Sequence, residues 1–160
     1  MADFTIFKEA LESLSRTVGR ELTIDENHCS LVVDGNVVVN LELLEESETV
    51  VAWAAVGTLP DDGQTYERAS RLLAMNEPDG GTRGFTLAMD GRNRMLVAHD
   101  RRAEDLFVTA EVLAGWIDDL VSLVKRIRSD FARDYPVFFE GPIDGEADAR
   151  NVREDEGEVS

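Results

Sequence analysis

Apolar residues recur at helical spacing near both ends of the chain. In the first segment they stand three or four residues apart, which predicts an amphipathic helix over residues 3–17 that ends near Gly19. A second, longer series alternates steps of four and three residues and predicts one helix over residues 103–133. The apolar positions of this second helix are Leu106, Ala110, Leu113, Ile117, Leu120, Val124, Ile127 and Phe131. Each helix therefore has one apolar side to pack against the rest of the domain.

Shorter apolar stretches between these helices predict five strands and one further helix. The first two strands meet at Asp34-Gly35, a dipeptide typical of tight hairpins, and the last two meet over residues 90–93. The predicted bounds are 28–33, 36–43, 49–56, 83–90 and 94–99 for the strands and 65–75 for the helix. The order α-β-β-β-α-β-β-α with hairpin connections predicts an α+β fold built on a mainly antiparallel five-stranded sheet.

The third strand has apolar residues on both of its faces. Val51, Trp53 and Ala55 point to one side, and the residues between them are also apolar. A sheet covered by helices on one face only is expected to carry polar residues on the other. Two explanations stay open at this point: the chain's own helices cover both faces, or a partner covers the second one.

The predicted short helix shows the same property. Its apolar residues are spread around the helix and are not confined to one stripe, which indicates burial on more than one side. These residues are Tyr66, Ala69, Leu72, Leu73 and Met75. In a domain of this size a subunit interface is a natural second cover, and two-fold homodimers are the commonest oligomers.

Length and charge restrict the classes of partner. The 160 residues suit one domain, and the formal net charge of -17 argues against nucleic acid and against anionic membranes. Such a charge favours a basic partner, although an acidic host proteome would explain it equally well. The longest apolar run, residues 50–56, is too short for a membrane helix, and the first residues lack the features of a signal peptide. Cys29 has no second cysteine to pair with, so we expect a cytoplasmic protein.

The end of the chain differs in composition from the rest. Residues 136–160 contain eight acidic residues against Arg150 and Arg153, and apolar residues become sparse after Phe139. Such a segment buries too little apolar surface to offset the conformational entropy lost on ordering. We therefore predict a folded domain over residues 1–135 and a disordered acidic tail over residues 136–160.

Candidate chemical groups are few. His28, Cys29 and His99 are too few for a structural zinc site, and the first two are neighbours whose side chains point to opposite faces of a strand. A cysteine buried in a strand is usually inert as a nucleophile. The glycines of residues 79–84 follow a helix and precede a strand, an order that favours a turn over a phosphate-binding loop. We predict no metal, no cofactor and no enzymatic activity.

The order of these segments resembles the type III secretion chaperones of the Tir chaperone (CesT) family. The resemblance spans roughly residues 4–131, and its most specific pieces are Val56-Gly57-Thr58-Leu59-Pro60, Leu72-Leu73-Ala74-Met75-Asn76 and the stretch from Gly84 to Asp90. The acidic tail is longer than the compact family pattern. The resemblance implies a bacterial cytoplasmic homodimer that binds the N-terminal segment of a secreted effector and keeps it competent for secretion without ATP hydrolysis.

The resemblance also assigns expected roles to residues. Effector segments of this family bind in extended form, add a strand to the sheet and fill apolar patches. The expected effector-binding residues are Phe4, Phe7, Leu11, Val33, Val39 and Trp53. The expected dimer interface comprises Leu59, Tyr66, Leu72, Leu73 and Met75. An alternative of another class is a regulatory or sensory module of the same fold that binds a folded protein or a small ligand and has no secreted client.

Overall fold

The computed structural model describes residues 3–134 as three helices and five strands. The predicted acidic tail, residues 136–160, lies outside the described residues. The helices are α1 (Thr5–Val18), α2 (Thr65–Met75) and α3 (Ala110–Asp134). The strands are β1 (His28–Val33), β2 (Val37–Leu44), β3 (Thr49–Thr58), β4 (Thr86–Asp90) and β5 (Met95–Ala103). The predicted order of elements is confirmed.

All strand pairs in the sheet are antiparallel, and the spatial order is β1-β2-β3-β5-β4. Hairpins join β1 to β2 and β4 to β5, so the one non-neighbouring connection runs from β3 through α2 to β4. The register of β3 against β5 shifts between Ala55 and Gly57. This bulge frees the carbonyl groups of Ala55 and Val56, and both accept hydrogen bonds from the Arg128 guanidinium of α3, at 3.1 and 2.9 Å.

Helices α1 and α3 cover one face of the sheet and enclose the core. Alternate residues of β3 (Val50, Ala52, Ala54 and Val56) point into this core, as do Val37, Val39, Leu41 and Leu43 of β2. The apolar side of α3 is buried from Leu113 to Phe131. Aromatic contacts join the layers, since the Phe7 ring of α1 meets the Phe107 ring edge-on at 5.4 Å. The fold thus has two layers, with helices on one side of the sheet.

The elements differ from the prediction mainly at two boundaries. Strand β5 continues to Ala103, although Asp100, Arg101 and Arg102 interrupt the apolar pattern, because these residues pair with β3. Helix α3 begins at Ala110 instead of residue 103, after a short 3-10 helix at Glu104–Leu106. Leu106, which fits the helical spacing, is therefore exposed.

Candidate functional site

The face of the sheet that points away from α1 and α3 is the main candidate surface. We call it the open face. Its residues are His28, Ser30 and Val32 of β1, Val38, Asn40 and Glu42 of β2, Val51, Trp53 and Ala55 of β3, and Val97, His99 and Arg101 of β5. Most of these side chains are half-buried, and in β2 and β3 their neighbours along the strand are buried. The open face therefore combines apolar side chains with an equal number of polar ones, on a surface that a partner can reach.

Fixed polar groups lie among these apolar side chains. The Trp53 indole donates a hydrogen bond from Nε1 to Glu42 Oε1 at 3.2 Å. The Ser30 hydroxyl donates to Asn40 Oδ1 at 2.7 Å. Ser30 Oγ also lies 3.2 Å from His28 Nε2, and the ring contacts Asn40 Oδ1 at the same distance. His28, Ser30 and Asn40 thus form one hydrogen-bonded cluster on the open face. These groups suit recognition of a partner.

Helix α2 exposes a second apolar surface. Tyr66 and Leu73 stand seven residues apart and so share one side of the helix, and they are 86% and 68% exposed. The opposite side holds α2 in place, through the buried Leu72 and through Arg68, which donates to Asp62 Oδ2 at 2.6 Å. We call the exposed pair Tyr66 and Leu73 the α2 patch. A helix fixed on one side and apolar on the other is suited to association with another protein.

The structure separates the expected effector-binding residues. Phe4, Phe7, Leu11 and Val39 lie in the core of the chain itself, because α1 packs this side against the sheet and α3. Val33 is half-buried against the core at the edge strand β1. Trp53 alone of this set lies on the open face. Any direct role for the four buried side chains would require α1 or the sheet to move, and binding by this set stays a prediction.

The expected dimer-interface residues also divide. Leu59 and Leu72 are buried within the chain, and Met75 is half-buried against the core. Tyr66 and Leu73 form the exposed α2 patch. The role of the set in dimerisation stays a prediction, and only the α2 patch is accessible without rearrangement of the chain.

Val38, Val51 and Val97 also lie on the open face, although none of them is among the expected effector-binding residues. The strand register shows which residues share a face of the sheet. Val39 pairs with Ala54, whose side chain is buried, so Val39 and Trp53 belong to opposite faces. Because side chains alternate between faces along a strand, the register of β2 against β3 is enough to assign Val39 and Trp53 to different faces.

Other functional features are limited within the described part of the chain. Among residues 3–134 there is no group of three or more His, Cys, Asp or Glu side chains that could hold a metal ion. None of the helices in that range has the length and apolar character needed to cross a bilayer. Burial raises the pKa of the Cys29 thiol above its ordinary value.

Solved structures of similar fold are complexes of two proteins. One contains HopA1 and SchA and is described as a chaperone-effector complex; the matched chain is 16% identical over 77% of this chain and 93% of its own length, with a TM-score of 0.60. A chain of the ExsC-ExsE complex matches at 18% identity, over 89% of this chain and 100% of its own length, with a TM-score of 0.65. A chain of the ExoT-SpcS complex from Pseudomonas aeruginosa matches at 13% identity, over 76% of this chain and 97% of its own length, with a TM-score of 0.53.

Sequence comparisons agree with this fold. A search of curated proteins found no match. The family model of the Tir chaperone protein (CesT) family matches residues 9–128, which include most of α1, the whole sheet and most of α3. The chain therefore belongs to the Tir chaperone protein (CesT) family.

Proposed function

We propose that the protein is a chaperone of type III secretion that binds the N-terminal segment of a secreted effector and keeps it competent for secretion. The observation that carries this proposal is the match of the CesT family model over residues 9–128. Two further findings support it: structures of similar fold hold a second protein, among them a chaperone-effector complex, and the open face offers accessible apolar side chains. The protein would act in the bacterial cytoplasm, where effectors are made.

Binding by such a chaperone would rest on burial of apolar surface and on hydrogen bonds. Trp53 is the natural anchor, since a half-buried tryptophan with a fixed indole N–H presents a large apolar area at low entropic cost. The proposal includes no catalytic step and no ATP hydrolysis. The free energy of binding would keep the client segment from folding or aggregating.

We further propose that the chaperone acts as a homodimer joined through the α2 patch. Tyr66 and Leu73 would meet the same residues of a second copy across a two-fold axis, which buries both apolar side chains at once. The ion pair of Arg71 with Asp134, at 2.5 Å, holds α2 against the end of α3 and so keeps the patch rigid. A rigid, self-complementary surface lowers the entropic cost of association.

Copurification from the host tests the proposed function. We expect the chain to retain a secreted protein, and the N-terminal segment of that protein to be sufficient for binding. Trp53→Lys is expected to weaken binding of this segment about tenfold or more, because it places a charge in the apolar contact. The control Val18→Lys adds the same charge at an exposed apolar residue of α1, outside the open face. Absence of any secreted client, or equal binding by both variants, would contradict the proposal.

A further inference from the structure

The start of helix α3 exposes a group of large apolar side chains. Leu106, Val108 and Val112 are 55%, 68% and 38% exposed, and all three lie within residues 106–112. Single exposed apolar residues are common on proteins, whereas several close together mark a surface that binds a partner. We call these three residues the α3-start patch.

A buried aromatic residue fixes the shape of this patch. The Phe107 ring is fully buried, and its centroid lies 5.4 Å from that of Phe7 in α1 and 4.9 Å from that of Trp116 in α3. Leu106 and Val108 flank Phe107 in the chain and stay outside the core. Because the core holds their backbone in place, a partner would bind them at little entropic cost.

An acidic pocket adjoins the α3-start patch. Asp3, Glu48, Glu104 and Asp105 line a cavity of about 220 Å³, and Asp105 directly precedes Leu106. Within residues 3–134 none of the four carboxylates makes an ion pair. In the same part of the chain, no three of them are grouped to hold a metal ion. The cavity is smaller than the site of a drug-sized ligand, so it suits a single guanidinium or ammonium group.

The α3-start patch is separate from the open face and from the α2 patch. Thr49, at the start of β3, pairs with Ala103, so the patch lies near this end of the strand, whereas α2 follows Thr58 at the other end. The ten residues of β3 span about 30 Å. The patch also belongs to the helix layer, across the sheet from Trp53. A partner could therefore bind here while both other surfaces are occupied.

The charge of this end of the molecule indicates the chemistry of its partner. A second copy would bring the same carboxylates to the contact, and nucleic acid or an anionic membrane would be repelled by them. A protein segment with arginine or lysine beside large apolar side chains would match both parts of the surface. Its apolar residues would cover the α3-start patch, and its basic side chain would form ion pairs in the acidic pocket.

We propose that the α3-start patch and the acidic pocket together dock a basic and apolar segment of a protein other than the client. The apolar contact would supply most of the affinity, and the carboxylates would select against apolar segments that lack a basic residue. The inference does not depend on the proposed function, because the surface has the same chemistry whatever the open face binds.

Selection from a library of random short peptides on the immobilised full chain, at physiological ionic strength, tests this site. We expect the selected peptides to carry arginine or lysine beside large apolar residues. Val108→Lys and Asp105→Lys should each raise their dissociation constant about tenfold or more. Val18→Lys and Asp79→Lys make the same substitutions at exposed positions elsewhere and should stay within about twofold of wild type.

Other outcomes would overturn the inference. Peptides that bind Val108→Lys and Val18→Lys equally would show that the patch docks nothing, and peptides insensitive to Asp105→Lys would refute the basic partner. If Val108→Lys melts well below Val18→Lys, the Asp105→Lys variant alone decides. Equal weakening by Trp53→Lys would place the peptides on the open face.

Two further results separate the occupants of the site. A change of oligomeric state in Val108→Lys would assign the patch to a second copy of the chain, against the inference. Displacement of the peptides by the N-terminal segment of the copurified protein would assign the site to the client and would also overturn it. A chain that retains no client would defeat the proposed function and leave the peptide result standing.

Discussion

At the scale of single residues, the position of α3 depends on one buried arginine. Arg128 is only 7% exposed, and its guanidinium donates to the carbonyls of Asn36, Ala55 and Val56 at 2.7, 3.1 and 2.9 Å. These carbonyls belong to the β1–β2 turn and to the bulge of β3, where ladder hydrogen bonds are missing. Arg128 therefore supplies donors that the irregular backbone needs, and it ties the helix layer to the sheet.

Removal of this guanidinium is expected to be strongly destabilising. Arg128→Met keeps much of the apolar stem but leaves buried carbonyls unpaired, so the free energy of unfolding should fall by about 3 kcal/mol. Arg126→Met on the same helix removes one exposed hydrogen bond, to the carbonyl of Gly81, and should cost less than about 1 kcal/mol. Urea denaturation measures both variants. Equal stability of the two would contradict the role of Arg128.

The turn after α2 requires glycine at position 80, because no side chain fits there. A Cβ atom at Gly80 would stand 2.0 Å from the carbonyl oxygen of Met75, a backbone atom that cannot move without unwinding the end of α2. Gly80→Ala is therefore expected to lower the free energy of unfolding by about 2 kcal/mol or more. At Gly91 nothing lies within 4 Å of the added carbon, so Gly91→Ala should be neutral or slightly stabilising. Thermal unfolding of the two variants checks the contrast, and a neutral Gly80→Ala would refute it.

Acid is expected to weaken the loop before α2. The Arg68 guanidinium bound to Asp62, together with the Gln64 N–H, holds the pKa of the Asp62 carboxyl below its ordinary value. A lowered pKa in the folded state stabilises the fold above the unfolded pKa, and this contribution is lost as the pH falls through the folded pKa. Asp62→Asn should therefore show a smaller loss of stability than wild type below about pH 4. Parallel curves of melting temperature against pH would argue against this ion pair.

At the scale of elements, α2 exposes large apolar side chains to solvent. Its inner side is held by Leu72 and Arg68, while the α2 patch of Tyr66 and Leu73 faces outward. The same division explains why a charge at Leu72 would test folding, whereas a charge at Leu73 tests association. Substitution of the exposed Leu73 is therefore the direct test of association.

Leu73→Glu is expected to dissociate the proposed homodimer without unfolding the chain. A carboxylate at the two-fold contact would lie near its own symmetry copy, so the dimer dissociation constant should rise by about tenfold or more. Leu106→Glu makes the same change at an exposed leucine away from α2 and should leave the oligomeric state unchanged. Light scattering over a range of concentrations measures both. A wild-type chain that is monomeric at micromolar concentration would refute the dimer.

Most elements could be predicted from the sequence because periodicity and turn residues are local signals. The hairpin at Asp34-Gly35 and the buried side of α3 follow directly from spacing. The end of β5 could not be predicted, since Asp100, Arg101 and Arg102 become strand only by pairing with β3. The accessibility of the candidate site could not be predicted from the pattern alone. Alternation shows that β3 has two apolar faces, but only the packing of α1 and α3 decides which face stays open.

At the scale of the whole molecule, one sheet serves two purposes. Its inner face forms the core with α1 and α3, and its open face remains available to a partner. The net charge of -17 would attract a basic segment and repel anionic surfaces. Such a division of the sheet is consistent with the proposed binding of an extended client.

Hydrogen–deuterium exchange of the complex tests the central claim most directly. We expect the N-terminal segment of the client to exchange freely on its own and to gain protection when bound, together with the open-face strands around Trp53. Such a result would mean that the chain holds an unfolded segment. A client that is already folded before binding, or that binds without protection of its N-terminal segment, would contradict the account and favour a regulatory module of the same fold.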